Sequence, residues 1–167
     1  MSPQITTVMS PRSDLSRSHA VFEINHATQP AFQAGGLQLQ CWYGNDFAYS
    51  SRHMETVRLT TTNEVITFTM TMTLSDHWLK FEVENGESTT WGAFGKGLNG
   101  NLKQWWYSSL DNLNQYSPQV SVASSRVGFA GHRVKKLRLN AVRYYSGETL
   151  VQTDSTPKVV WEHSAPQ

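Results

Sequence analysis

The chain is short of most features that would place it quickly. A single cysteine, Cys41, in 167 residues excludes an intrachain disulfide and a multi-cysteine metal site, and it leans towards a reducing compartment. Charge is scarce as well: fourteen basic residues against thirteen acidic leave a net +1, with 16% charged residues against an average of about 25%. Such a balance supplies no overall field to draw in a nucleic acid or an anionic membrane, so neither is an expected partner.

Long hydrophobic runs are missing too. The opening MSPQITTVMSPRSDLSRSHA has no apolar core of the length a leader needs, and no span nears the ~20 residues that cross a bilayer. If the chain is complete, a cytoplasmic address is expected. The six histidines, at 19, 26, 53, 77, 132 and 163, show no H-x-H or H-x-x-x-H spacing, and no G-x-S-x-G is present. No metal, cofactor or nucleophilic catalysis is expected from these residues.

What the chain does hold is aromatic and β-branched. Six Trp, six Tyr and seven Phe are enough for a packed core in one domain. In VITFTMTMTL, Ile66, Phe68, Met70, Met72 and Leu74 alternate with Thr67, Thr69, Thr71 and Thr73, the pattern of a half-buried strand. LKFEVENG repeats it with Leu79, Phe81 and Val83 against Lys80, Glu82 and Glu84. Asn85-Gly86 then reads as a hairpin turn, since both residues tolerate positive φ. GLQLQCWYGND and VKKLRLNAVRYYSGE are further strands, and METVRLTT, LKQWWYSS, QVSVASS, RVGFA, TLVQT and KVVWEH add shorter ones. The best helical candidate, SLDNLNQY, allows one turn at most, because Asp111, Asn112 and Asn114 favour caps and turns.

Many short strands between turn signals, without a βαβ rhythm, predict an all-β fold: a two-layer antiparallel β-sandwich. Residues 1–18, rich in Ser, Pro and Arg, read as a flexible arm that contributes little core, with one sandwich domain over 19–167.

Two motif-like spacings need a geometric test. Gly95, Gly97 and Gly100 give G-x-G-x-x-G, but a dinucleotide site requires a strand leading into a helix, and LKQWWYSS is a poor helix start. These glycines read as a loop with positive φ. Glu82, Glu84 and Glu87 give E-x-E-x-x-E. Residues five apart in a regular strand face opposite ways, so Glu82 and Glu87 need a bulge between them to converge. The intervening Asn85 and Gly86 favour a turn, which makes the three solvated hairpin glutamates.

Together, LKFEVENGESTTWGAFG and LNQYSPQVSVASSRVGFAGHRVKKLRLNAVRYY resemble the second half of concanavalin A-like lectin and laminin G-type jelly rolls, over about residues 64–145. The resemblance implies two stacked, curved antiparallel sheets whose concave face or rim loops hold a sugar. It has no clear counterpart here for that family's calcium ligands; Asp111, Asn112 and Asn114 are oxygen-bearing candidates that read better as turn caps. A laminarinase-like hydrolase shares that sandwich and carries E-x-D-x-x-E, similar to the spacing at Glu82.

The remaining candidates are surfaces. In Trp105-Trp106-Tyr107, successive residues point to opposite faces, so one Trp faces the core and the other the outer side, where the N-terminal arm or a loop is expected to cover it unless it stands exposed for a ligand. An exposed Trp can stack on a pyranose at low entropic cost. Trp42, Asn45, Asp46, Trp105, Trp106 and Tyr107 form the expected ligand-binding set. Lys135, Lys136, Arg138 and Arg143, with Arg126, His132 and Arg133, form the one basic concentration and read as a solvated strand face. The expected function is non-enzymatic, lectin-like binding of a carbohydrate. The alternative is an assembly protein that self-associates through a sheet face, a sheet edge or the N-terminal arm, and the third reading is a laminarinase-like hydrolase.

Overall fold

The structure, a computed structural model, describes residues 4–12, 15, 18–25, 36–52, 64–98, 102–115, 119–121 and 135–162. All regular structure among them is strand. In chain order these are β1 (Gln4–Met9), β2 (Ser18–Asn25), β3 (Gly36–Tyr43), β4 (Asp46–Arg52), β5 (Ile66–Ser75), β6 (Trp78–Ser88) and β7 (Gly92–Phe94). There follow β8 (Lys103–Tyr107), β9 (Gln119–Ser121), β10 (Lys136–Leu139), β11 (Val142–Ser146), β12 (Thr149–Asp154) and β13 (Lys158–Glu162). Each pairing is antiparallel.

The first sheet runs β4-β3-β2-β1-β9. In the second, β6 is central, with β5 along one side and β7 and β8 sharing the other. Period-two alternation decides what each sheet buries. The β5 residues Ile66, Phe68, Met70, Met72 and Leu74 all pack on the core, beside the buried Leu79, Phe81 and Val83 of β6. The first sheet supplies Ala20, Phe22, Leu39 and Cys41 to the same cluster. The Phe22 and Phe68 rings meet edge to face at 4.6 Å, Thr7 Oγ1 donates to Met70 Sδ at 2.7 Å, and Trp106 Nε1 donates to Ser18 Oγ at 2.8 Å. Those three contacts join the sheets face to face, a sandwich. Each large apolar side chain enclosed this way contributes roughly 1.5–3 kcal/mol.

Two expectations are corrected. Residues 4–12 do not behave as an arm: β1 lies between β2 and β9, Thr7, Ser10 and Pro11 are buried, and Met9 packs on the core. SLDNLNQY stays within its expected limit of one helical turn, with no helix over residues 109–115: Leu110 N–H donates to Ser108 Oγ and Asn114 N–H to Asn112 Oδ1, so local side-chain acceptors replace the helix ladder. Asn85-Gly86 is not a hairpin turn. Asn85 does take positive φ, at 51°, but inside β6, where the register passes from Thr69↔Glu84 to Thr67↔Glu87. The pair forms a β-bulge. The chain reverses after Ser88, in a turn tied down by Glu64, whose carboxylate accepts from Ser88 Oγ, Thr90 N–H and Thr90 Oγ1.

The expected strands METVRLTT and RVGFA, with Arg126, His132 and Arg133, lie outside the described residues.

Candidate functional site

Residues directly opposite in an antiparallel pair share a face. Along β6 and β8 the pairs Trp78↔Tyr107, Lys80↔Trp105 and Glu82↔Lys103 alternate with Leu79↔Trp106 and Phe81↔Gln104. Leu79 and Phe81 are core, so the first three pairs form the outer face. Trp78, Trp105 and Tyr107 are 49%, 50% and 67% exposed on it. The Trp78 and Tyr107 rings meet at 6.2 Å, edge to face, and the His77 ring lies 5.8 Å from Tyr107. Lys103 Nζ sits 5.6 Å from the Trp105 ring centre. Ser75 and Thr73 stand opposite Trp78 and Lys80 from the β5 side, adding hydroxyls next to the rings. An apolar floor with hydroxyls and ammonium groups around it is the chemistry of a binding surface.

The same face carries the glutamates. Thr71↔Glu82, Thr69↔Glu84 and Thr67↔Glu87 are the register partners on β5, so the bulge brings Glu87 back to the face that holds Glu82 and Glu84. This corrects the reading of three solvated hairpin glutamates. Glu82 is buried, with Oε2 2.7 Å from Lys80 Nζ. That oxygen has no well-directed hydrogen bond; the contact is a close ion pair, not an aligned one. Glu84 Oε1 accepts from Lys96 Nζ at 3.3 Å and from Thr71 Oγ1 at 3.4 Å, and Glu87 is exposed. Two of the three carboxylates are therefore engaged by lysines.

The six residues expected as one ligand set are not brought together. Trp105 and Tyr107 lie on the face just described. Trp106 points inward, its ring 5.4 Å from that of Phe81 and its Nε1 bonded to Ser18. Trp42 is half-buried on the outer side of the other sheet, opposite His19, with Nε1 donating to Gln40 Oε1 at 3.1 Å. Asn45 and Asp46 are exposed where β3 turns into β4. Trp78 was missed in sequence, although its spacing from Lys80 and Glu82 already put it on their side of the strand.

The glycine motif is loop geometry. Lys96 N–H donates to Val83 O and Leu98 N–H to Gly95 O, both at 3.0 Å. Gly95 has φ 105° and Gly97 φ 77°, while Gly100 lies outside the described residues. No helix follows among them. No group of three or more potential metal-ligating His, Cys, Asp or Glu side chains occurs among the described residues, and no helix long and apolar enough to cross a membrane occurs among them.

No family model, curated protein or solved structure matches this chain. Function therefore rests on the geometry of the aromatic face.

Proposed function

We propose that the outer face of β6 and β8 binds a carbohydrate, with Trp78, Trp105 and Tyr107 as stacking groups and Lys80, Lys103, Thr73 and Ser75 as polar partners. The observation that carries this reading is that three large aromatic side chains stand exposed and adjacent on one sheet face, although the apolar interior of the sandwich is within reach of the same strands. An aromatic ring left in water on a rigid strand offers a flat apolar surface at little further entropic cost. The sugar ring, with apolar C–H faces and hydroxyl edges, matches such a floor bordered by donors. Because the face is a sheet surface and not a deep cleft, it suits an extended glycan chain.

The bulge favours a second reading, a glycoside hydrolase, since it sets Glu82, Glu84 and Glu87 on the face that would hold the sugar. Hydrolysis needs a free acid and a free base or nucleophile at a defined separation. The lysine pairing of Glu82 and Glu84 makes binding without cleavage the better reading.

The test is titration with neutral and acidic glycans, followed by tryptophan fluorescence. A saturable change is expected, weakened about tenfold or more by Trp105→Ala or Tyr107→Ala, in line with a stacking contribution of ~1.4 kcal/mol or more. Silence across both glycan classes, or binding unaltered by both substitutions, would sink the reading. Release of new reducing ends, abolished by Glu87→Gln, would support hydrolysis instead.

A further inference from the structure

The segment from residue 136 to 162 folds back on itself as a ribbon of two nested antiparallel pairs. β10 pairs with β13 and β11 with β12, and the tip is the Ser146–Thr149 turn, with Gly147 at φ 58°. On the β11–β12 pair one side is half-covered, with Val142, Tyr144 and Asp154 on it. The other is open. Arg143 stands there opposite Thr153, and Tyr145 opposite Leu150. Tyr145, Leu150 and the neighbouring Val151 are all exposed, and none of the three belongs to the core cluster. An isolated ribbon is marginal in water, and a cluster of exposed apolar residues on a monomer marks an interaction surface.

The charges beside the patch say what covers it. Glu148 at the tip and Arg143 below Tyr145 are both exposed, and neither has an ion pair or hydrogen bond among the described residues. Other charges of the ribbon are engaged: Lys136 with Glu162 at 3.1 Å, Arg138 Nε with Asn140 Oδ1 at 2.6 Å, and Lys158 with Asp154 at 3.6 Å. An unpaired anion at the tip, an unpaired cation nearer the base and an apolar patch between them make a self-complementary surface. Laid antiparallel on its own copy, the ribbon places each tip anion beside the other's cation.

We propose that this open face pairs with the same face of a second copy across a two-fold axis. Tyr145, Leu150 and Val151 form the apolar centre, and Glu148 of each copy meets Arg143 of the other. An isologous contact repeats every interaction twice. The patch is small beside the ~800 Å² per partner of a stable interface, so the dimer is concentration-dependent. The proposal stands independently of the sugar reading.

Sedimentation velocity from low micromolar to submillimolar protein tests it. The wild type is expected to pass from monomer to dimer. Arg143→Glu alone and Glu148→Arg alone should each weaken the dimer about tenfold, since two symmetry-related exposed ion pairs become repulsive contacts. The double variant Arg143→Glu with Glu148→Arg should restore it, and Tyr145→Ser with Leu150→Ser should abolish it. Circular dichroism checks that each variant keeps its strands; should the apolar variant unfold, the charge series decides alone. A wild type monomeric throughout overturns the proposal. So does a dimer indifferent to both single charge reversals, which would place association elsewhere, or a double variant as weak as the singles.

Discussion

Cys41 shows how much one side chain reveals about its surroundings. It sits in an apolar strand pattern, reads as core from the sequence, and is fully buried in the sandwich. Burial disfavours the thiolate and raises the thiol from the ordinary 9.0 to about 12. The sign of the linkage follows directly. Between these two values the folded chain keeps a proton that the unfolded chain releases, so stability is intact below pH 9 and is lost as pH rises through the window. The limiting slope is about 1.4 kcal/mol per pH unit. Urea unfolding across this alkaline range should show the decline, and Cys41→Ala should remove that part of it. In native protein at neutral pH, Cys41 should resist alkylation until denaturant is added; equal labelling rates in both states would contradict its enclosure. Glu82 gives the opposite lesson. Alternation put it on the wet side of β6, and it does share that face with Lys80, yet it is buried. Lys80 closes on its carboxylate at 2.7 Å, and the central place of β6, with Thr71 on one side and Lys103 on the other, is something only the register of other strands supplies.

At the scale of elements, β6 separates what a local pattern can tell from what it cannot. The positive φ of Asn85 was legible, because Asn and Gly tolerate the left-handed region. Turn and bulge make the same local demand and differ in whether pairing resumes afterwards. Here it resumes, with Thr67 opposite Glu87 on one side and Gly86 opposite Phe94 on the other. Gly86 is needed for space: its φ is unremarkable, but a Cβ there would overlap the edge of the Phe94 ring, and that ring is itself buried. Gly86→Ala should therefore destabilise by about 1–3 kcal/mol, the usual cost of overpacking. The check is a thermal or urea melt, with the Phe94→Leu background expected to reduce the penalty. No loss of stability in Gly86→Ala would show that the ring moves aside freely. β1 escaped sequence reading for a related reason. QITTVM carries weak alternation between Ser-, Pro- and Arg-rich flanks, and its strand character depends on β2 and β9, the latter more than a hundred residues away in the chain by their numbering.

For the whole molecule, the fold class was readable because period-two spacing is repeated in strand after strand, and a single missed strand leaves the inference intact. The site was less readable because a binding face is made by register between strands: Trp78 meets Tyr107 and Lys80 meets Trp105 only once β6 and β8 are paired. The expected set joins Trp42, Trp105 and Trp106, and the sandwich separates them, Trp106 inward and Trp42 to the other sheet. The position of β1 has a global consequence. As a flexible arm, residues 1–9 could be removed at almost no cost. Residues 4–9 are instead a strand between β2 and β9 that contributes Met9 to the core and a contact from Thr7 to Met70 across the sandwich, so their loss exposes two strand edges and opens the core together. That penalty is comparable with the whole stability of a domain, about 5–15 kcal/mol. Deleting residues 1–9 should abolish the cooperative thermal transition and the near-ultraviolet tryptophan signal, and a truncated chain melting like the full one would remove β1 from the sheet.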